Sequence, residues 1–328
     1  MKLALLLPNL RDEVTVKELE DLALLAEQLD FDSVWAVDRV IVPESNDRTE
    51  LTYSFGMMEG LPHGIPVNSR GAFYQGPPLI PWLAAKTSKI RIGMSVYNLP
   101  YRAPAIMAAD LATIDQLSNG RVNVGIGSGW MVEEFAAVGA SDIFPRRHKQ
   151  VREALDIMIG AWTNDLFEYH GEFADFGPSG FGVRPVQQPH PPIWFSGLKN
   201  PEISAKRIAK YNLHGWIGIQ DTPNGLQQWR KPISEELEKV GRSIDDLQVA
   251  SMMWFVITDT ETDQADNGKA SNILIGTAGQ IEDNLKRLAE AGLDMPLIWP
   301  PFRDVPTAKT LDDMKRLAEE ILPKVNAG

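Results

Sequence analysis

The residue types that could do chemistry are few, and most of the usual arrangements are absent. The five histidines, His63, His148, His170, His190 and His214, fall in no HxH or HExxH spacing. None pairs on a helix face to hold a metal, so no metal site is expected. The absence of cysteine removes thiolate nucleophiles, thiolate zinc sites, iron–sulfur ligation and any disulfide framework. No GxSxG elbow presents a serine, and there is no Walker loop. What remains is suited to binding. The run Gly125–Trp130, GIGSGW, falls short of a full GxGxxG. Its glycines would let the backbone approach a flat cofactor or a phosphate, and a tight turn at a strand end accounts for them equally. Ser196 and Gly197 stand between an apolar run and a helical pattern. Free N–H groups at a helix start bind phosphate, or are simply capped. Arg102, in LPYRAP, suits a phosphate, an acidic substrate or a carboxylate such as Asp110. Asp38 is the one titratable acid at a strand end.

These residues must be positioned by an alternation that runs the length of the chain. Apolar, nearly continuous runs occur at Leu3–Leu7, Ser33–Val37, Ile90–Val96, Val122–Ile126, Ile193–Phe195, Gly215–Ile219, Leu247–Ile257 and Pro296–Trp299, as expected of parallel strands covered on both faces. Between them lie helical periods. Leu19, Leu22, Ala26 and Leu29 share a face, as do Val151, Leu155, Met158 and Trp162. Ile281, Leu285 and Leu288 repeat the spacing, and so do Leu311, Met314, Leu317 and Ile321. Helices are also expected at 79–86, 104–117, 200–210 and 223–240. Eight strands alternating with eight helices predict an α/β fold of the (β/α)₈ TIM barrel type over residues 1–328, in preference to a doubly wound open sheet. A barrel needs about 250 residues, so insertions are expected. They fall at 43–78 and 164–192, with a shorter irregular stretch at 259–277. Those that follow strands would lie over the mouth. The aromatics Tyr53, Phe55, Phe73 and Tyr74, with Met57 and Met58, suggest an apolar lid or a subunit interface.

A net charge of −12 argues against nucleic acid, which requires clustered Lys and Arg. The apolar run near the N-terminus is too short for a signal core, and no stretch reaches membrane-spanning length. A cytoplasmic protein is expected.

The stretch 90–140 reads IRIGMSVYNLPYRAPAIMAADLATIDQLSNGRVNVGIGSGWMVEEFAAVGA. It resembles the signature of the bacterial-luciferase-like flavin-dependent oxidoreductases. FDSVWAVDR, RPVQQPHPPIWFSG and GTAGQIEDNLKRLAEAGLD agree in order along the chain. The resemblance implies a (β/α)₈ barrel, in accord with the alternation, and a flavin-type cofactor, either FMN or the deazaflavin coenzyme F-420. Relatives place a non-proline cis peptide against the flavin ring at the position of Ser95–Val96. Asp38 matches a position beside the ring. Many members follow it with His, where this chain has Arg39. Arginine stays protonated and cannot act as a general acid. Arg39 would stabilise a reduced, anionic ring or an oxyanion, or would form a salt bridge with Asp38 or a neighbour. The resemblance thus makes Asp38 and Arg39 the candidate catalytic pair. Trp130 stands where some deazaflavin dehydrogenases carry a catalytic Glu, and reads as an aromatic wall. With Asp38, Ser95 and Val96, the expected cofactor contacts are Gly127, Ser128, Gly129, Trp130, Ser196 and Gly197, assisted by Lys199. Glu133 and Glu134 read as helix-start acids. His214 stands in place of a usual Asp and is given no role.

The implied function is a monooxygenase using reduced FMN and oxygen on an apolar small-molecule substrate. A separate flavin reductase would supply the cofactor, and the protein would be a homo-oligomer. The alternative is hydride transfer with F-420. A non-catalytic flavin-binding protein and a phosphate-substrate isomerase or aldolase rank lower. The last would need an acid–base pair or a Schiff-base lysine at the strand ends.

Overall fold

Alternate residues of each apolar run face the inside of a barrel and the others meet a ring of helices, which is why the runs are almost without polar residues. The computed structural model describes residues 1–44, 69, 71, 73–197, 200–219, 221–262, 274–300 and 305–327. Eight parallel strands close on one another: β1 (Ala4–Leu6), β2 (Ser33–Ala36), β3 (Arg91–Met94), β4 (Val122–Gly127), β5 (Ile193–Phe195), β6 (Gly215–Ile219), β7 (Gln248–Ile257) and β8 (Met295–Trp299). Ala4 lies opposite Ser33 on one side and Leu297 on the other, and β7 pairs with both β6 and β8, which completes the ring. The long run at 247–257 is one strand, whose far end also pairs with Leu274–Gly276.

The inner layer holds Leu6, Trp35, Trp194, Ile217, Ala250 and Leu297, among others. Two of its tryptophans each lie opposite a glycine on the neighbouring strand: Trp35 opposite Gly93 and Trp194 opposite Gly215. A Cβ at Gly93 would come within 2.7 Å of the Trp35 ring, and one at Gly215 within 2.1 Å of Trp194. The two indoles meet edge to face with centroids 5.6 Å apart. Large-beside-small pairing thus fills the barrel floor.

The helices between the strands include α1 (Val16–Gln28), α2 (Gly76–Lys86), α3 (Pro104–Leu117), α4 (Val132–Ala137), α5 (Arg147–Thr163), α6 (Pro201–Lys210), α7 (Pro223–Glu238), α8 (Ala278–Glu290) and α9 (Thr307–Arg316). Their starts follow local chemistry. Thr15 with Glu18 and Thr277 with Gln280 form capping boxes, and Asn200 caps α6 through the Ile203 N–H. The helix expected from residue 79 begins at 76, because prolines 77 and 78 fit a first helical turn.

The insertion at 43–78 follows β2, on the side of the strand ends. Its residues 45–68, 70 and 72, and with them Tyr53, Phe55, Met57 and Met58, lie outside the described residues. The stretch 164–192 follows a helix, so it leaves and re-enters the barrel at the opposite end, but its middle runs back along α5, where Glu172 pairs with Arg146 and Lys149 at the helix start. It holds an antiparallel hairpin, Phe167–His170 with Asp175–Ser179. Gln187 then donates to Asp115 Oδ1 at 2.7 Å and to the Val122 carbonyl at 2.8 Å, at the start of β4. Among the described residues no helix is long and apolar enough to cross a membrane.

Candidate functional site

The carboxyl ends of β2, β3 and β4 are tied together by one buried carboxylate. Asp38, just beyond β2, accepts two hydrogen bonds from Arg102, Nη1 to Oδ2 at 2.6 Å and Nη2 to Oδ1 at 2.7 Å. Its Oδ2 also accepts the Asn98 N–H at 3.0 Å. A bidentate guanidinium pair fixes direction as well as distance. Burial works against the Arg102 charge, but Asp38 outweighs it and the Arg102 pKa is raised. Arg102 therefore serves Asp38, not Asp110. The Ser95–Val96 peptide is cis. It is held by the Ser95 N–H on the Ala36 carbonyl at 2.8 Å, and by pairing of Tyr97 and Asn98 with Ile126 and Gly127. The Ser95 hydroxyl is buried without a partner among the described residues.

Arg39 is also buried, and its partner is Glu134 of α4, at 2.7 Å. Glu134 is completely buried and accepts two further donors, the Val40 N–H at 2.7 Å and the Tyr101 hydroxyl at 2.8 Å. Burial, then the Glu134 charge, raise the Tyr101 pKa well above the usual phenol range. The Arg39 guanidinium lies 5.2 Å from the centre of the Trp130 ring, a cation–π distance. Neither member of the expected catalytic pair is a free group at the mouth. Both oxygens of Asp38 are engaged, and the Arg39 charge is balanced by Glu134. Glu134 stands in the first turn of α4, as the sequence implies, and in addition takes a role in this network.

Beside this paired wall opens a cavity of about 280 Å³. Seven of the expected cofactor contacts line it: Val96, Gly127, Ser128, Gly129, Trp130, Ser196 and Gly197. Asp38 and Ser95 stand behind them. Gly129 has φ +70°, and a Cβ there would meet Phe135 at 2.9 Å and the Tyr101 hydroxyl at 3.0 Å. Only glycine suits that turn. The Ser196 N–H bonds the Ile126 carbonyl at 3.0 Å. It continues the sheet and is not a free phosphate donor, a correction to the sequence reading. Lys199 lies outside the described residues.

The opposite wall is basic. Arg147, His148 and Arg152 of α5 and Arg207 of α6 line the cavity, and no carboxylate among the described residues does. Arg207 is only 6% exposed and stacks on Phe195, with its guanidinium carbon 4.6 Å from the ring centre. Burial, with Arg152 nearby, lowers its pKa to about 10. The first turn of α5 contains no acid, although a helix N-terminus disfavours positive charge. Glu172 takes the neighbouring Arg146 and Lys149 in ion pairs and leaves residues 147 and 148 to the cavity. Sequence reasoning missed this wall. Its signal was the basic run RRHK at a helix start, where acids are the rule.

Above the barrel floor the mouth is apolar. Val37, Phe73, Val96, Ile219 and Trp254 are partly buried around Met252 and Trp299. Of the expected lid aromatics, Phe73 packs here and against Met131, while Tyr74 packs on the outer core. Among the described residues no group of three or more His, Asp or Glu could hold a metal ion.

The profile of the family described as luciferase-like monooxygenase matches residues 1–270. The chain belongs to that family. It is 36% identical over 167 residues to an FMNH2-dependent dimethylsulfone monooxygenase of Pseudomonas putida, covering 51% of this chain and 41% of that protein. The chain spans about half, or less, of the length of the curated relatives it matches. A Streptomyces bottropensis monooxygenase has the same luciferase-like barrel, with a TM-score of 0.78 at 18% identity over 98% of this chain and 99% of that one. An F-420-dependent secondary alcohol dehydrogenase, in complex with an F-420–acetone adduct, superposes with a TM-score of 0.77 at 18% identity over 99% and 98%. The fold is thus shared with a protein in complex with an F-420 adduct and with a Baeyer-Villiger monooxygenase of Pseudomonas putida in complex with FMN, the latter at 16% identity with a TM-score of 0.74 over 99% of this chain and 98% of that one.

Proposed function

We propose that this luciferase-like enzyme is a monooxygenase that uses reduced FMN and oxygen to oxidise an apolar organic substrate. A separate flavin reductase would supply the reduced cofactor. One observation carries the reading: a single cavity joins a basic wall with no carboxylate among the described residues to a glycine-lined cradle, beside an apolar, tryptophan-rich mouth. A flat ring bearing one phosphomonoester matches that sequence of surfaces. The FMN-dependent relative supports it.

Bound reduced FMN would supply the electrons and the reaction with oxygen. The protein's residues bind, orient and exclude water. Arg207, with Arg147 and Arg152, would hold the phosphate, and a guanidinium fork suits its oxygens. Gly127 and Gly129 keep the cradle open. Val96 and Trp130 form its apolar walls. Asp38 and Arg39 act as positioning residues: Asp38 through Asn98 and Arg102, Arg39 through Glu134 and Trp130. Phe73, Trp254 and Trp299 keep the mouth dry, which protects reactive flavin chemistry from water. The resemblance to F-420 enzymes weakens at the proton donor, because Arg39 and Trp130 stand where those enzymes carry His or Glu.

Paired titrations of the purified chain with FMN and F-420, each oxidised and reduced, test the reading. We expect reduced FMN to bind, and a reductase-coupled assay with apolar substrates to show substrate-dependent oxygen uptake. Binding of F-420 alone would overturn the oxygenase reading in favour of hydride transfer. Binding of neither would overturn the cofactor assignment.

A further inference from the structure

We propose that His148 makes oxyanion binding at the basic wall proton-linked: its imidazole is neutral in the free protein and takes up a proton when an oxyanion seats among the arginines. The proposal rests on the wall being the seat of the cofactor's phosphate, and adds a mode of regulation to that seat.

The geometry is a cluster of cations around one titratable group. His148 lies in the first turn of α5 and faces the cavity. The charged groups around it are Arg147 and Arg152 on its own helix and Arg207 on α6. The glycine cradle at 127–129 and the turn at Ser196–Gly197 contribute no charge. The positive end of the α5 dipole adds to the field. Arg152 is tethered beside His148 through Nη1 on the His148 carbonyl at 3.3 Å. An imidazolium there would be one more cation in a cationic cluster. Partial burial and the guanidiniums of Arg147, Arg207 and Arg152 accordingly hold the His148 pKa down, to about 4.

A dianion placed among these groups reverses the local field and favours the protonated ring. Linkage then requires the converse: a protonated ring favours the dianion. Affinity for an oxyanion therefore rises as pH falls. Sulfate isolates the effect, because it stays dianionic throughout the range of interest, whereas a phosphomonoester titrates itself.

The test is calorimetric titration of the full chain with sulfate in two buffers of different ionisation heat, with displacement by FMN to locate the site. We expect net proton uptake on binding. Affinity should be about threefold or more tighter at pH 5.5 than at pH 8. His148→Gln, at an exposed position, should bind sulfate with no uptake and with most of that pH dependence gone. In a histidine-resolved NMR titration the His148 resonance should titrate at higher pH with sulfate present than without it. Absence of proton uptake, or the same uptake in His148→Gln, would overturn the linkage while leaving FMN-displaceable sulfate, and so the phosphate seat, intact. Failure of both sulfate and FMN to bind would overturn the linkage and the seat together.

Discussion

The two walls of the cavity hold their charges in opposite ways. On one, Asp38 with Arg102 and Arg39 with Glu134 form buried pairs whose hydrogen bonds are largely satisfied within the protein. On the other, Arg207 is buried against an aromatic ring and no carboxylate among the described residues lines the cavity with it. A buried charge without a counter-charge costs stability, while a buried pair is harmful mainly when one partner is removed. The first wall is therefore built to stay still, and the second, on the proposed reading, to be completed by a ligand. Substitutions on the two walls should separate stability from binding.

The largest effect is expected on the paired wall. Glu134→Gln keeps the shape but leaves Arg39 charged and buried, at a cost of about 3–5 kcal/mol. Chemical denaturation would read it. Adding Arg39→Met to that variant should recover much of the loss, since replacing both partners by apolar or neutral groups is often near neutral. An unchanged midpoint in Glu134→Gln would break the comparison at its stronger side.

Asp221 supplies a case between the two walls: a buried carboxyl whose partner is neutral. Its Oδ2 accepts the Ser251 hydroxyl at 2.7 Å, and burial raises its pKa to about 7. The folded value lies above the unfolded one, so the folded state binds the extra proton between them. Stability is then highest below about pH 4 as far as this group is concerned, and falls as pH rises toward 7. The fall amounts to a few kcal/mol, since each pH unit crossed between the two values costs about 1.4 kcal/mol. Asp221→Asn should remove that slope and be the more stable protein at pH 8. A slope that survives the substitution would assign it to other groups.

On the basic wall the order reverses. Arg207→Met should weaken FMN binding by about tenfold to a hundredfold, the worth of hydrogen bonds from a charged donor. Its denaturation midpoint should hold or rise, because an unbalanced charge has left the interior. Fluorescence titration and thermal unfolding of one sample would check both. A variant that binds normally but unfolds early would make Arg207 a structural residue.

What could be read from the chain divides along the same line. The strand runs were legible because a parallel strand buried on both faces has little choice but apolar residues, and the GIGSGW turn because only glycine fits positions such as Gly129. The pairing of Asp38 with Arg102 was not, since it joins residues 64 apart through the closure of the barrel. Glu134 looked like any acid at a helix start until burial gave it three donors. Arg207 lies in an ordinary amphipathic period, and only the folded arrangement shows that it faces a cavity shared with α5. Ser196 misled because an N–H ahead of a helix is free only when no neighbouring strand takes it.

The smallest expected effect is also the one that measures how finely the basic wall is adjusted. Glu172 lies outside the cavity lining and pairs with both Arg146 and Lys149. Those pairs are partly exposed, and such pairs add little stability. Their consequence is electrostatic: they neutralise two cations close to the anion seat. Glu172→Gln releases the Lys149 charge toward the cavity and leaves Arg146 to its second partner, Asp142. FMN should then bind about twofold more tightly at low salt, and the gain should vanish near 1 M salt, where the screening length shrinks to about 3 Å. The unfolding midpoint should move little. A gain that persists at high salt would mean that the hairpin had shifted and changed the seat directly. No gain at low salt would mean that the seat is already screened from its own rim, and that Arg207 and its near neighbours alone set its affinity.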